Sequence, residues 1–166
     1  MWVVLKYKKK EFNFLKNDFT QKLGELPIIF RPKIRYQKLI RNKMKFFEKD
    51  ILDDYLICFH KKFSNAKILE ILKNSRGLKY FLIDSQTNQK EIVHFINHCK
   101  NNQGPDGYIQ QSFFNFSNIT KGIFLNGPFA NIVFNVIENQ KNKLKILIGN
   151  ATTIIKKNSE YLYYPI

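Results

Sequence analysis

Residues 101–118, NNQGPDGYIQQSFFNFSN, break the hydrophobic pattern of the chain, and the two sides of the break differ in kind. Upstream, apolar residues recur at steps of two in some stretches and of three or four in others, the sign of strands alternating with helices. Downstream, only short β-branched and apolar runs recur, the sign of closely spaced strands. The break itself holds glycine, proline and asparagine without any period and reads as a linker. Tyr108, Phe113, Phe114 and Phe116 make it an unusually sticky one. A chain of 166 residues is thereby expected to be α+β over 1–103, a linker over 104–118 and a small all-β unit over 119–166.

Within the first part, WVVLKY (Trp2 to Tyr7) reads as a strand. Phe12, Leu15, Phe19 and Leu23 predict an amphipathic helix over 10–23, with Gly24 as its stop. Residues 27–39 read as extended, and Pro32 marks an edge strand or a break. The charged run IRNKMKFFEKD, 40–50, reads as a loop or flexible hairpin tip. Then come a strand over 54–62, a helix over 65–74 ended by Gly77, a strand over 78–83, and a helix over 88–99 with Asn88 as its cap. The first six elements, β-α-β-β-α-β, match the ferredoxin-like split pattern, in which the helices are expected on one face of the sheet and the other face is left open. After the linker, NIVFNVI, KLKILI and TTIIKK read as strands of a small β-barrel.

The motifs on these elements resemble the NusG/RfaH family of transcription elongation and antitermination factors. In the C-terminal part, Gly122, Gly127-Pro128-Phe129-Ala130, the strand Lys143 to Ile148 and the turn Gly149-Asn150-Ala151-Thr152 follow the order of the family's KOW domain. In the N-terminal part, WVVLKY, DDYLICF and KNSRGLKYFL resemble three segments of its NGN domain. Departures are visible: Asp53-Asp54 stands where the family has Pro-Gly, and Phe134 lies near a glycine position of the second KOW strand. NSRG at 74–77 is closer to the RfaH-like paralogs than to general NusG. The resemblance implies an NGN-like domain that binds the clamp of RNA polymerase and suppresses pausing or termination. It implies a KOW barrel that recruits a second partner, the ribosome or a termination factor. The C-terminal segment is poor in Ala and Glu and rich in β-branched residues, so local propensity favours strands over a helical alternative fold.

An apolar patch on the open face of the sheet is the polymerase site that the resemblance implies, with Tyr7, Tyr55, Ile57 and Phe59 as its candidates; the alternative for each is a place in the core. Lys8, Lys9, Lys10, Arg76 and Lys79 are candidates for phosphates of upstream or non-template DNA, and Tyr80 with Arg76 for a splayed base. The alternative for the lysines is a solvated strand end. In the Gly-Pro-Phe loop, Gly127 permits a tight turn, Pro128 fixes φ, and Phe129 either plugs the end of the barrel or displays the loop. Gly127, Pro128, Phe129 and Asn131 are the candidate KOW partner site.

A net charge of +15 points to a polyanionic neighbour, although codon bias toward Lys, Asn, Ile and Phe accounts for the excess equally well. Two cysteines form no disulfide framework, and no run reaches the roughly 20 apolar residues of a membrane span, so a cytoplasmic monomer is expected. His94, His98 and Cys99 share a helix but lack the acidic partner of a zinc motif, so no metal or cofactor is expected. No phosphate loop, nucleophile elbow or converging acid pair appears, so no catalysis is expected. A ribosome-associated or RNA-binding KOW protein without polymerase contact is the alternative reading.

Overall fold

The computed structural model describes residues 1–41, 43–114, 120–157 and 161–166. In chain order, the elements are β1 (Trp2–Tyr7), α1 (Phe12–Leu23), β2 (Ile28–Phe30), β3 (Lys33–Ile40), β4 (Lys43–Asp50), β5 (Tyr55–Phe59), α2 (Ala66–Lys73), β6 (Leu78–Phe81) and α3 (Gln89–Asn101). They continue with β7 (Lys121–Phe124), β8 (Val133–Asn139), β9 (Lys143–Ile148), β10 (Ala151–Lys156) and β11 (Tyr163–Pro165). The chain divides into two units. One holds Met1–Pro32 and Asp50–Asn101, the other Lys33–Lys49 and Asn102–Ile166.

In the first unit, four strands form an antiparallel sheet in the order β2-β5-β1-β6, the split βαβ arrangement. Alternation on β1 sends Val3, Leu5 and Tyr7 to one face. There they meet Leu15, Phe19 and Leu23 of α1, Leu72 of α2, and Leu56 and Cys58 of β5. Each such fully buried side chain is worth roughly 1.5–3 kcal/mol. Helix α1 ends at Gly24, whose φ of 88° is left-handed, and its N–H donates back to the Thr20 carbonyl at 2.9 Å. Asn65 caps α2, its side chain accepting from the Lys67 N–H at 2.9 Å.

The other face of this sheet, expected to be open, is covered in part. Ile92 and Ile96 of α3 bury Ile57, with Trp2, Val4, Phe30 and Phe95 around them. The side chains of Ser85 and Gln89 hold this helix in place. Strand β6 is too short to pair with the start of β1. Instead, Ser85 Oγ accepts from Val4 N at 3.0 Å, and Gln89 accepts from Trp2 N at 2.9 Å and donates to Trp2 O at 2.7 Å. These side chains supply the rungs that the strand does not. Desolvation pushes the buried Cys58 thiol up to about 12 and that of Cys99, on α3, to about 11.

The charged run 40–50, expected as a loop or flexible hairpin tip, holds the turn and second strand of a hairpin: β3 and β4 form a two-stranded sheet of their own. This hairpin belongs to the second unit, whereas the expected boundary put it in the first. The Lys33 carbonyl accepts from Ile109 N at 2.8 Å, and the Arg35 guanidinium lies 4.5 Å from the centre of the Tyr108 ring. Residues 102–110 are thus tied to the hairpin rather than forming a free linker. Phe113 and Phe114 are buried, Phe114 against Tyr164 at 5.5 Å, while Phe116 lies outside the described residues.

Strands β7 to β11 form an antiparallel sheet in the order β10-β9-β8-β7-β11. Among the described residues it is not closed into the expected barrel. Strand β11 has only three residues, its partners all lie on β7, and no ladder joins it to β10 among the described residues. The core is aromatic: Phe124, Phe134 and Tyr163 are buried with ring centroids 4.6 Å (124 to 134) and 5.9 Å (134 to 163) apart. Gly122 pairs with Phe134 across β7 and β8, and the ring occupies the space a side chain at 122 would need.

Candidate interaction surface

Strand register in the first unit places Lys6 opposite Tyr55 on one side and opposite Tyr80 on the other. The three side chains therefore share a face, beyond the part that α3 covers. The Tyr55 and Tyr80 hydroxyls are 3.3 Å apart. Lys6 Nζ donates to the Tyr55 hydroxyl at 3.4 Å and lies 4.8 Å from the centre of its ring. Asp54 closes the group, 3.6 Å from Lys6 and 3.1 Å from Lys79. The hydrogen bond from Tyr80, then that from Lys6, lowers the Tyr55 phenol, while the same bond raises that of Tyr80. The result is a half-exposed pair of rings held at one end of the sheet by a lysine and an aspartate. Apolar and hydrogen-bonding surfaces are combined in one rigid place, the property of a protein-binding anchor.

The other residues expected in the patch fall elsewhere. Tyr7 is fully buried on the opposite face, under α1 and α2, so it is not a surface residue. Its position on β1 has the parity of Val3 and Leu5. Ile57 is buried beneath α3. Phe59 is half-buried, packed on Trp2 with ring centroids 5.2 Å apart, and sits at the far end of β5 from Tyr55. Tyr80, expected at a nucleic-acid base, joins Tyr55 instead. Lys6 and Asp54 were not singled out in the sequence; only the register of three strands brings them to the rings.

The cations expected at DNA are largely occupied. Lys8 pairs with Glu11 at 3.2 Å, Lys9 with Asp53, and Lys79 with Asp54. Arg76 is the most constrained: its guanidinium donates to Asp18 at 2.6 Å, its backbone N–H donates to the same carboxylate at 2.8 Å, and it lies 4.9 Å from the centre of the Phe14 ring. These contacts hold α1 to the turn before β6. Lys10 is exposed and makes no ion pair among the described residues. Asp53, where the resembled family has Pro-Gly, enters β5 with a left-handed φ of 51°, a region Asp tolerates.

In the second unit, the Gly-Pro-Phe motif forms the loop between β7 and β8. Gly127 has a φ of 72°, and a β-carbon there would lie 2.6 Å from the Tyr161 ring, so the loop requires glycine on two counts. Phe129 packs toward Phe124 at 5.7 Å and Tyr161 at 6.1 Å. Its ring is half-buried there. Pro128 and Asn131 are exposed. Asn131 also has a left-handed φ, 69°, and its Oδ1 accepts from Lys38 Nζ at 3.0 Å. A groove of about 1090 Å³ lies between the β3–β4 hairpin and this loop, with Ile40, Met44, Pro128 and Tyr161 in its walls. Among the described residues, no three His, Cys, Asp or Glu side chains converge on a point, and no helix is long and apolar enough to cross a membrane.

No family model matches the chain. No curated protein matches it. Among solved structures, it is similar to one described as "Domain interaction in Thermotoga maritima NusG", with a TM-score of 0.33, 10% identity, 93% of this chain covered and 91% of that chain. It is also similar to one described as "Crystal Structure of MjSpt4:Spt5 complex conformation B", with a TM-score of 0.29, 11% identity, and coverage of 100% and 98%.

Proposed function

We propose that this chain is a transcription elongation or antitermination factor of the NusG/RfaH kind. The observation that carries the reading is that each motif of the sequence resemblance falls on the element it requires. WVVLKY is a central strand, and YLICF pairs beside it. NSRG is the turn into β6 of the same sheet, Gly-Pro-Phe is the loop between β7 and β8, and Gly149 opens the turn between β9 and β10. The first unit binds the clamp of RNA polymerase through Tyr55 and Tyr80, with Lys6 fixing the rings. Holding the clamp closed is a population shift, for which a few kcal/mol of differential affinity suffice. The second unit recruits the ribosome or a termination factor through the Pro128–Asn131 loop. The protein acts in the cytoplasm and is not an enzyme.

The rival reading, an RNA binder without polymerase contact, leans on the net charge, and most of the N-terminal cations singled out for it are held by neighbouring acids. Salt separates the two, because phosphate binding collapses with salt whereas an aromatic contact persists. The test is binding to core RNA polymerase in a stalled elongation complex at moderate salt. Salt-resistant binding, lost in Tyr55→Ala/Tyr80→Ala, supports the reading. Absence of binding by the folded wild type overturns it.

A further inference from the structure

The second unit brings together two groups of lysines that are distant in sequence. Lys143 and Lys156 are directly opposite on β9 and β10, and both are exposed. Lys145 follows on the same face of β9, since Leu144 and Ile146 point into the core. The Lys157 N–H donates to the Asn142 carbonyl at 3.0 Å, which draws Lys157 and Lys141 to the same end. None of these five makes an ion pair among the described residues. The nearest acid in register, Glu138 opposite Lys145, accepts instead from Gln140 at 2.8 Å. Like charges directly opposite on neighbouring strands oppose folding. Here that cost is left without compensation, in contrast to the first unit, where Lys6, Lys8, Lys9, Arg76 and Lys79 all have acidic partners.

We propose that this lysine end is a binding site for the phosphate backbone of duplex DNA. Lysines gathered by register at one end of a sheet match a polymer carrying one negative charge per ~1.7 Å. The duplex, rather than a single strand, is favoured because strands β8 to β10 around these lysines present no exposed aromatic ring, among the described residues, on which unpaired bases could stack. Ammonium groups give point contacts without the arginine fork that reads bases, so binding is independent of sequence. The site lies at the opposite end of β8 from the Gly-Pro-Phe loop, leaving that loop available to another partner. This proposal does not depend on polymerase binding.

The test is fluorescence anisotropy of the full chain with a 20-base-pair DNA, at several salt concentrations. Lys143→Gln/Lys156→Gln removes two contacts and relieves a repulsion, so the fold is not at risk. The expected result is a loss of affinity of about tenfold or more at low salt, with the slope of log K against log salt reduced by about 1.8. Lys67→Gln/Lys90→Gln removes the same charge from the helices of the first unit and is expected to leave the slope unchanged. An equal loss in both variants means that net charge alone acts, and overturns the site. So does an unchanged affinity in the first variant. Tighter binding to single-stranded RNA, to an acidic peptide or to anionic vesicles than to the duplex also overturns it.

Discussion

Gly122 lies beneath the ring of Phe134, so close that a β-carbon at 122 would sit 2.6 Å from Phe134 Cζ. The two residues are partners in the β7–β8 ladder, and the absent side chain of one is the space the other fills. Gly122→Ala is therefore expected to destabilise the second unit by about 1–3 kcal/mol, as overpacking does. Gly122→Ala/Phe134→Leu should recover part of the loss. Urea denaturation of the two variants checks both statements.

The Asp18 carboxyl is held at about 2, against an ordinary value of 3.8, chiefly by the Arg76 guanidinium and then by the Arg76 backbone N–H. A depressed carboxylate stabilises the fold at pH values above its unfolded pKa, and that stabilisation is lost as pH falls through the folded one. The melting temperature of the wild type should exceed that of Asp18→Asn at neutral pH. The difference should shrink between pH 4 and pH 2 and vanish below. A constant difference across that range would exclude the ion pair as its source.

Tyr7 separates core from surface. Its ring is fully buried, while its hydroxyl has no hydrogen-bond partner among the described residues. Tyr7→Ala should cost roughly 3–5 kcal/mol. Tyr7→Phe should leave stability unchanged or raise it, because it removes a buried polar group that gains nothing. Tyr55→Phe, by contrast, removes a hydroxyl that Tyr80 and Lys6 hold, and a small loss of stability is expected. Thermal melts of the three proteins test this ordering.

Lys156→Glu turns the repulsion across β9 and β10 into an attraction. A stability gain of about 0.2–1 kcal/mol is expected, diminishing in high salt. Chemical denaturation in 50 mM and 1 M salt would show it.

Where one face of an element is buried, the sequence makes the element legible. The helix over 12–23 and the strand over 2–7 were readable because burial imposes their periods. Strand β4 was not: most of its side chains are exposed, so KMKFFEKD carries no alternation to read. The three-residue β11 is too short to leave a signal. Parity on β1 groups Tyr7 with Val3 and Leu5, but parity alone does not reveal which face helices will cover. The apolar stripe of α3 likewise leaves its target unnamed, and its landing on Ile57 covered part of the face expected to be open. The clusters at Lys6 and at Lys143 are products of register, which is set by whole ladders and not by local pattern.

Both cysteines of the chain lie in the first unit, one in the core beneath α1 and α2, the other on α3. Thiol reactivity requires the thiolate, and burial withholds it. Alkylation of this protein thus runs as a clock that advances only when the first unit opens. The second unit, lacking cysteine, leaves that clock silent however far it breathes, so the local stabilities of the two halves can be timed apart in the intact chain.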